Sequence, residues 1–354
     1  MRILYITDLS DRKANGVTTA VVQLLNSIGE YADVKWLNLN ENKFDVNSKV
    51  QRVSIKNWMN ETPDIVVFED PFNNLRFCKL AKMLRKENIP YIISPHGCFH
   101  KMALKNKRLK KQVAMQTVFK SFFQGCLAVQ YLTDNERDNS YGINERIVIP
   151  NGIENVHHEH IKTQAKRLFF IGRKAVNNKG LDLLLEACSK SKNMMESQKT
   201  VLNIYGSIHS KKDEDYLNKK IAHDALEKVV VNHGPIFGKE KDEVYQNGDV
   251  FIQASRHEGL PMSILEALTY GCPVAVTTGT NFGESVKNYD AGWTCETTVE
   301  GIATMLSEIM NCTQTEILKK SQNAITLAAE YSWDKVSQLT IKEYEQLLKR
   351  GANK

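Results

Sequence analysis

Apolar residues of this chain follow two alternating patterns. Short, nearly continuous apolar runs are typical of strands buried on both faces of a parallel sheet, and apolar residues three or four positions apart are typical of amphipathic helices. Because the two alternate, we predict parallel α/β sheets that bind ligands beyond the carboxyl ends of their strands. The strand-like runs are 2–7, 34–39, 64–68, 91–94, 126–132, 146–150, 167–171, 201–205, 229–232, 249–253 and 273–276, and the main helix-like stretches are 17–28, 73–88, 181–189 and 332–349.

A polar, aperiodic stretch at 151–167 separates two halves of the chain, and the second half begins again with a strand. A chain of 354 residues is too long for one ordinary domain and sufficient for two. We therefore predict one domain over 1–155, a second over 165–330, and a final helix over about 334–354.

Composition narrows the class of protein. The net charge of +6 favours anionic partners. Seven cysteines without a Cys-x-x-Cys pair indicate reduced thiols and a cytoplasmic location. The first residues turn polar too soon for a signal peptide, and no apolar run approaches the roughly 20 residues that cross a bilayer. We expect a soluble or peripheral protein.

The stretch 249–276 carries the strongest functional signal. A buried strand at 249–253 is followed by a loop and by a helix that we predict to begin at Pro261 and to stop at Gly271. Backbone N–H groups at 259–263, including those of Gly259 and Leu260, have no partner within such a helix. They form a candidate phosphate site.

Two carboxylates flank this candidate site. Glu258 precedes the helix and Glu266 lies inside it, with seven residues between them. A carboxylate beside a phosphate site needs another task, and accepting hydrogen bonds from a sugar diol is such a task. The alternative is that Glu258 is a capping acid and Glu266 a solvated helix residue.

Three further candidates lie at predicted strand ends. Arg173 and Lys179 flank a loop after the strand 167–171 and could neutralise a diphosphate. His96, in Pro-His-Gly after the strand 91–94, could contact a reacting sugar or be structural. Asn15-Gly16 opens the first helix, where a glycine allows close approach to a ligand.

The segment 99–124 has seven basic and no acidic residues among many apolar ones. It suits an interfacial helix on anionic lipid, or an anionic acceptor site. An ordinary helix with a solvated basic face explains it equally well. A nucleic-acid partner is disfavoured, because no recognised binding motif accompanies it.

Metal binding is not favoured. His157, His158 and His160 with Glu159 are too closely spaced for the usual helix-spaced ligand pair. Asp213 and Asp215 lie among lysines in a helical stretch, where a solvated face is the simpler interpretation. We expect neither a metal nor another cofactor.

Glu258 and Glu266, embedded in a strand, Glu-Gly-Leu-Pro and a helix, resemble the Glu-x7-Glu signature of retaining GT-B glycosyltransferases of family 4. The resemblance implies two Rossmann-like domains that face each other across a cleft, with the last helix crossing back to the first. It implies that Glu258 lies by the donor sugar, Glu266 holds the ribose, and Arg173 and Lys179 bind the diphosphate.

The same resemblance extends to weaker positions. It implies that His96 contacts the donor sugar and assists the acceptor, that Gly16 lies near the phosphates, and that Ile236 receives the base. Gly259, Leu260 and Pro261 complete the donor site. Asn15 departs from the family's usual paired glycines, so only Gly16 carries over.

The expected function is transfer of a sugar from a nucleotide sugar, with a UDP-sugar favoured, to a glycan or lipid-linked hydroxyl in surface polysaccharide assembly, with retention of configuration. If the segment 99–124 binds anionic lipid, the protein lies on the inner face of the cell membrane. The alternatives are a GT-B sugar-nucleotide epimerase or phosphorylase, and a non-catalytic nucleotide-sugar-binding protein.

Overall fold

The structure, a computed structural model, describes residues 1–9, 16–40, 42, 44–71, 74–99, 117, 119–140, 145–154 and 161–352. It divides into two compact units. Unit 1 comprises Met1–Gly152 and Ser332–Lys354, and unit 2 comprises Ile153–Tyr331. The chain therefore returns to unit 1 for its last helix.

Unit 1 is built on a parallel sheet. Its strands are β1 (Arg2–Thr7), β2 (Asp33–Asn38), β3 (Val50–Arg52), β4 (Ile65–Glu69), β5 (Tyr91–Ser94), β6 (Ala128–Tyr131) and β7 (Glu145–Val148). The seven strands have the order β3-β2-β1-β4-β5-β6-β7. Ile3 of β1 lies opposite Val34 on one side and Ile65 on the other. Strands β4 and β5 are buried along their whole length, as their continuous apolar runs predict.

The helices of unit 1 cover this sheet. Those that the structure describes are α1 (Gly16–Ile28), α2 (Arg76–Lys86), α3 (Lys120–Gln124), α4 (Asp134–Asn139) and the final helix α13 (Trp333–Ala352). Helix α13 buries Trp333 and Tyr344 in the same cluster as Val21 of α1 and Ile3 of β1. The last helix is thus part of the core of the N-terminal sheet.

Unit 2 contains a second parallel sheet. Its strands are β8 (Arg167–Ile171), β9 (Val201–Tyr205), β10 (Val230–Asn232), β11 (Val250–Gln253), β12 (Val274–Thr277) and β13 (Gly292–Cys295). The six strands have the order β10-β9-β8-β11-β12-β13. From the centre of the sheet, β8, β9 and β10 follow one another toward one edge, and β11, β12 and β13 follow one another toward the other edge. The strand order therefore reverses between β8 and β11, and ligands of open α/β sheets bind at such a point.

The helices of unit 2 pack on both faces of its sheet. They are α5 (Val176–Lys179), α6 (Leu181–Gln198), α7 (Lys211–His223), α8 (Lys239–Asn247), α9 (Met262–Thr269), α10 (Gly283–Tyr289), α11 (Val299–Asn311) and α12 (Gln314–Glu330), with a 3-10 turn at Thr278–Thr280. Leu184 of α6, Ile302 of α11 and Phe170 of β8 share one buried cluster.

A close backbone contact joins the two loops at the reversal point. Gly180 links α5 to α6 in the left-handed conformation, with φ of 62°. A Cβ atom at this position would lie 1.9 Å from the carbonyl oxygen of Ala254, just beyond β11. Only glycine permits this approach, and it sets Lys179 beside the loop that follows β11.

We predict that Gly180→Ala lowers the free energy of unfolding by at least about 2 kcal/mol, because the left-handed conformation alone costs a β-carbon about 1–2 kcal/mol and the clash with a backbone oxygen adds to it. Chemical denaturation followed by circular dichroism measures the change. Gly234→Ala is the matched control, since its Cβ would meet nothing within 4 Å and its φ is not positive. Equal stability of the two variants would contradict the prediction.

Candidate functional site

The carboxylate of Glu258 is held by three donors from two segments of the chain, one after β8 and one at the end of β11. Its Oε1 accepts hydrogen bonds from Lys179 Nζ at 2.5 Å, Ser255 Oγ at 2.8 Å and Gln253 Nε2 at 3.2 Å. The side chains of Lys179 and Glu258 are 15% and 14% exposed. Among the described residues, Oε2 of Glu258 has no hydrogen-bond partner. One oxygen is fixed, and the other can accept from a ligand.

The backbone of Glu258 is fixed from the side of β12. Its N–H donates to the carbonyl of Gly279 at 3.0 Å, and the amide of Asn281 donates to its carbonyl. The loop approaches closely here, because a Cβ on Gly279 would lie 2.3 Å from the carbonyl oxygen of Ser255. The position of the carboxylate is therefore set by the backbone as well as by its three donors.

Arg256 ties the same loop to the segment after β8. Its guanidinium donates two hydrogen bonds to the Asp182 carboxylate, at 2.6 and 2.8 Å. The backbone N–H of Arg256 donates to the Asn178 carbonyl at 2.9 Å. Such a bidentate pair fixes both distance and orientation. The sequence analysis did not single out Arg256, although it lies two residues before Glu258.

Arg173 and Lys174, adjacent in sequence, point to different surroundings. Lys174 is buried and donates to Asn232 Oδ1 at 2.8 Å and to the His233 carbonyl at 2.6 Å. Burial lowers the pKa of its ammonium group. The guanidinium of Arg173 is exposed and forms no ion pair with a described residue. Of the two cations, Arg173 is the one that can meet a ligand's phosphate.

Glu266 lies on α9 and has both oxygens engaged. Lys241 Nζ donates to one oxygen at 2.7 Å, and the hydroxyl of Tyr245 donates to the other at 2.7 Å. Burial, followed by the charge of Glu266, raises the pKa of Tyr245, which keeps its proton for this bond. The alternative of a solvated helix residue is wrong for Glu266. A ribose diol there would share these oxygens with Lys241 and Tyr245.

Helix α9 begins one residue later than the sequence predicted. Pro261 is the N-cap of α9, with φ of −74° and ψ of 118°, and the helix begins at Met262. The extended ψ of Pro261 keeps it outside the helix. Gly259 before it is half-buried, and Leu260 is buried. At the other end, Gly271 has φ of 63° and stops the helix, as predicted.

An aromatic pair lies at the ends of the neighbouring strands β9 and β10. The rings of Tyr205 and His233 stack with centroids 4.3 Å apart and planes at 10°. Ile236 follows three residues after His233 and is half-buried. The sequence analysis chose Ile236 and missed the pair. The sequence pattern that could have revealed the pair is that Tyr205 ends one strand and His233 directly follows the next.

His96 of unit 1 is part of a buried ion pair. It follows β5 in the left-handed conformation, with φ of 47°, and its side chain is 5% exposed. Its Nε2 lies 2.5 Å from Oε2 of Glu69, the buried last residue of β4. Burial by itself lowers the pKa of His96, but the charge and hydrogen bond of Glu69 outweigh it and raise the pKa.

Glu136 supports the loop that carries His96. The Thr133 hydroxyl accepts from the Glu136 N–H at 3.1 Å, as in one half of a capping box. The other half does not form, because the Glu136 carboxylate accepts from the N–H groups of Gly97 at 2.7 Å and Leu132 at 2.8 Å. Burial raises the pKa of Glu136 against these two bonds.

Several sequence predictions fall partly or wholly outside the described residues. Gly16 is the exposed first residue of α1, whereas Asn15 lies outside the described residues. Of the segment 99–124, the structure describes Phe99, Thr117 and 119–124, and the run from Lys101 to Lys111 lies outside. His157, His158 and His160 also lie outside. Both the membrane and the linker-metal interpretations stay untested.

Asp213 has a structural role that corrects its assignment to a solvated face. Its carboxylate accepts from the Val176 N–H at 3.1 Å and from the Ser210 hydroxyl, at the starts of α5 and α7. Within the described ranges, no three His, Cys, Asp or Glu side chains are grouped so that they could hold a metal ion. In the same part of the chain, no helix combines the length and the apolar character of a membrane span.

Comparisons with known proteins concern both the family and the fold. The profile of the family described as "Glycosyl transferases group 1" matches residues 153–330. An N,N'-diacetylbacillosaminyl-diphospho-undecaprenol alpha-1,3-N-acetylgalactosaminyltransferase from Campylobacter jejuni is 28% identical over 108 residues, which are 30% of this chain and 28% of that protein. The aligned regions span between 26% and 46% of the length of the curated relatives.

Solved structures match over nearly the whole chain. A sucrose-phosphate synthase from Thermosynechococcus elongatus aligns with 99% of this chain and all of its own, at a TM-score of 0.73 and 14% identity. HepE from Anabaena, solved in complex with UDP, aligns over 98% of this chain and 100% of its own, at a TM-score of 0.70 and 14% identity. These matches confirm the predicted GT-B fold class.

We predict that the ion pair of His96 makes stability depend on pH. Because the pKa of His96 is raised above its ordinary value of 6.5, its contribution is complete below that pH and is lost as the pH rises through the folded-state pKa. The free energy of unfolding of the wild type should therefore fall, relative to the double variant Glu69→Gln/His96→Gln, as the pH rises above 6.5. Urea denaturation at several pH values measures it. A difference that is constant or grows with pH would show that His96 is neutral in the folded protein.

Proposed function

This chain belongs to the glycosyl transferases group 1 family, and on that basis we propose that it transfers a sugar from a nucleoside diphosphate sugar to a hydroxyl of a glycan or lipid-linked acceptor. A UDP-sugar is the favoured donor, and the anomeric configuration is retained. The observation that carries the proposal is the placement of Glu258, Lys179 and Arg173 at the reversal point of the sheet in unit 2.

The arrangement supports a division of labour at the donor. Oε1 of Glu258 is saturated by its three donors, so Oε2 remains to accept from a sugar hydroxyl. Arg173 and Lys179, together with the amides at the start of α9, would stabilise the negative charge that develops on the departing diphosphate. Because these groups supply positive charge, we propose that the reaction requires no metal ion.

Glu266, Ile236 and His96 complete the proposed donor contacts. Glu266 would bind the ribose through oxygens that Lys241 and Tyr245 already orient. Ile236 would receive the base, and His233, which stacks on Tyr205, precedes it by three residues. His96 would contact the sugar, and its pairing with Glu69 raises the pKa of the imidazole.

The acceptor assignment has separate support. The Campylobacter jejuni relative is named for an acceptor that carries undecaprenol through a diphosphate. For the donor, HepE, which shares the fold, was solved with UDP, and this supports the choice of a UDP-sugar. We therefore propose surface glycan assembly as the setting, and a lipid-linked glycan as the acceptor to test first.

We predict that one nucleotide stabilises the wild type against heat in a panel of UDP, GDP, ADP, CMP and NAD with EDTA present, and that UDP is this nucleotide. At 100 times its dissociation constant, a ligand adds about 2.7 kcal/mol to stability. Glu266→Ala should abolish the shift. Glu243→Ala, which removes an exposed carboxylate from α8, should keep it. No shift with any diphosphate, or a shift with NAD alone, would overturn the assignment.

We predict that Lys179→Met lowers kcat by about 100- to 1,000-fold, in line with the loss of one charge-stabilising donor. Lys228→Met, an exposed lysine of the same unit, should leave kcat unchanged. Release of the nucleotide and formation of a glycoside, measured with and without acceptor, give the rates. Epimerised donor in the absence of acceptor would favour the epimerase alternative, and unchanged kcat in Lys179→Met would refute the role of this residue.

A further inference from the structure

Unit 1 contains a cavity that the proposed donor chemistry does not use. Its volume is about 650 Å³, within the range of small-molecule sites. It lies where β2 and β3 end, and it is closed by the turn at 54–58 and by α2.

The floor of this cavity is apolar and rigid. Trp36, Trp58 and Leu80 line it and are nearly fully buried, with 2%, 3% and 5% of their surface exposed. The indole N–H of Trp36 donates to Thr7 Oγ1 at 2.9 Å, so this ring is fixed without help from a ligand. At the mouth, Ile55 is 53% exposed and Met83 is 48% exposed. Large apolar side chains left in water at the mouth of an apolar cavity favour an apolar occupant.

The charges around the cavity have one sign. Arg52, Arg76 and Lys79 line it, and no acidic side chain is among its described lining residues. The guanidinium of Arg52 lies 5.4 Å from the ring centre of Trp36, and Arg76 donates to the Leu39 carbonyl at 3.3 Å. Lys79 is exposed and forms no ion pair with a described residue. The three positive charges are therefore not compensated by a carboxylate of any lining residue that the structure describes.

We propose that this cavity binds a single anionic lipid, with the hydrocarbon chain on Trp36, Trp58 and Leu80 and a phosphate head group at Arg52, Arg76 and Lys79. A soluble phosphate ester would leave the apolar floor unused, and a neutral lipid would leave the cations unused. Both halves of the site are satisfied by one amphiphilic molecule. The further assignment of this lipid as the carrier of the acceptor rests on the proposed function, whereas the binding itself does not.

Tryptophan fluorescence tests the binding directly, since two of the four tryptophans line the cavity. Farnesyl phosphate, kept below the concentration at which it forms micelles, should change the emission saturably. Inorganic phosphate should cause no change, and farnesol should bind at least tenfold more weakly. Equal binding of farnesol, or a response to phosphate alone, would overturn the proposal.

Charge reversal on α2 locates the site. Lys79→Glu should weaken farnesyl phosphate binding at least tenfold, whereas Lys82→Glu makes the same charge change at an exposed position of α2 that does not line the cavity and should bind as the wild type does. If Lys79→Glu does not fold, Lys79→Ala replaces it, with a smaller loss expected. Equal effects of the changes at 79 and 82 would refute the site.

Nucleotide binding separates this proposal from the proposed function. Lys79→Glu should keep the thermal shift caused by UDP, because Lys79 lies in unit 1 and the proposed contacts to the nucleotide itself lie in unit 2. Saturable lipid binding without a thermal shift from any nucleotide would support the lipid site and refute the proposed function. A thermal shift from a nucleotide without lipid binding would support the proposed function and refute the lipid site.

Discussion

The ion pair of Lys179 and Glu258 is the contact on which the candidate site depends. It joins the loop after β8 to the loop after β11 across the point where the strand order reverses. The contact requires Gly180, because a side chain there would collide with the Ala254 carbonyl. Arg256 and Asp182 join the same two segments a second time. Backbone geometry thus fixes a charge pair that neither loop could position alone.

In unit 1, two buried carboxylates near the carboxyl ends of strands also depend on specific partners. Glu69 and Glu136 are carboxylates without contact to water, and such groups are costly unless they are paired or hydrogen-bonded. Glu69 is paired with His96, and Glu136 accepts from two backbone N–H groups, one of them that of Gly97. Both therefore act on the same Pro-His-Gly loop. The left-handed backbone of His96 is held from two sides, which explains how the loop tolerates that strain.

The sequence predicted the fold class, because nearly continuous apolar runs at 2–7, 91–94 and 167–171 leave little alternative to buried parallel strands. It missed β3, of which only Val50 is buried, and β13, whose burial is mixed, since neither forms such a run. The sequence also predicted that Arg173, Lys179 and Glu258 follow the carboxyl ends of strands, because each comes shortly after an apolar run.

The pairing of those site residues was not predictable. Nothing in the sequence distinguishes Lys174, which is buried on Asn232, from the exposed Arg173 beside it. Equally, the use of Glu136 on Gly97 in place of its own N-cap depends on β5 and β6 being neighbours. Such contacts join residues far apart in the chain, and local pattern carries no information about them.

The return of the chain to unit 1 has a consequence for synthesis on the ribosome. Unit 2 is encoded without interruption between Ile153 and Tyr331, so one continuous segment supplies its whole core. Unit 1 also needs the last helix, because Trp333 and Tyr344 pack in the same buried cluster as Val21 of α1 and Ile3 of β1. The core of unit 1 is therefore complete only after all of unit 2 has been translated, and until then its apolar cluster is a part of the nascent chain that a chaperone can bind.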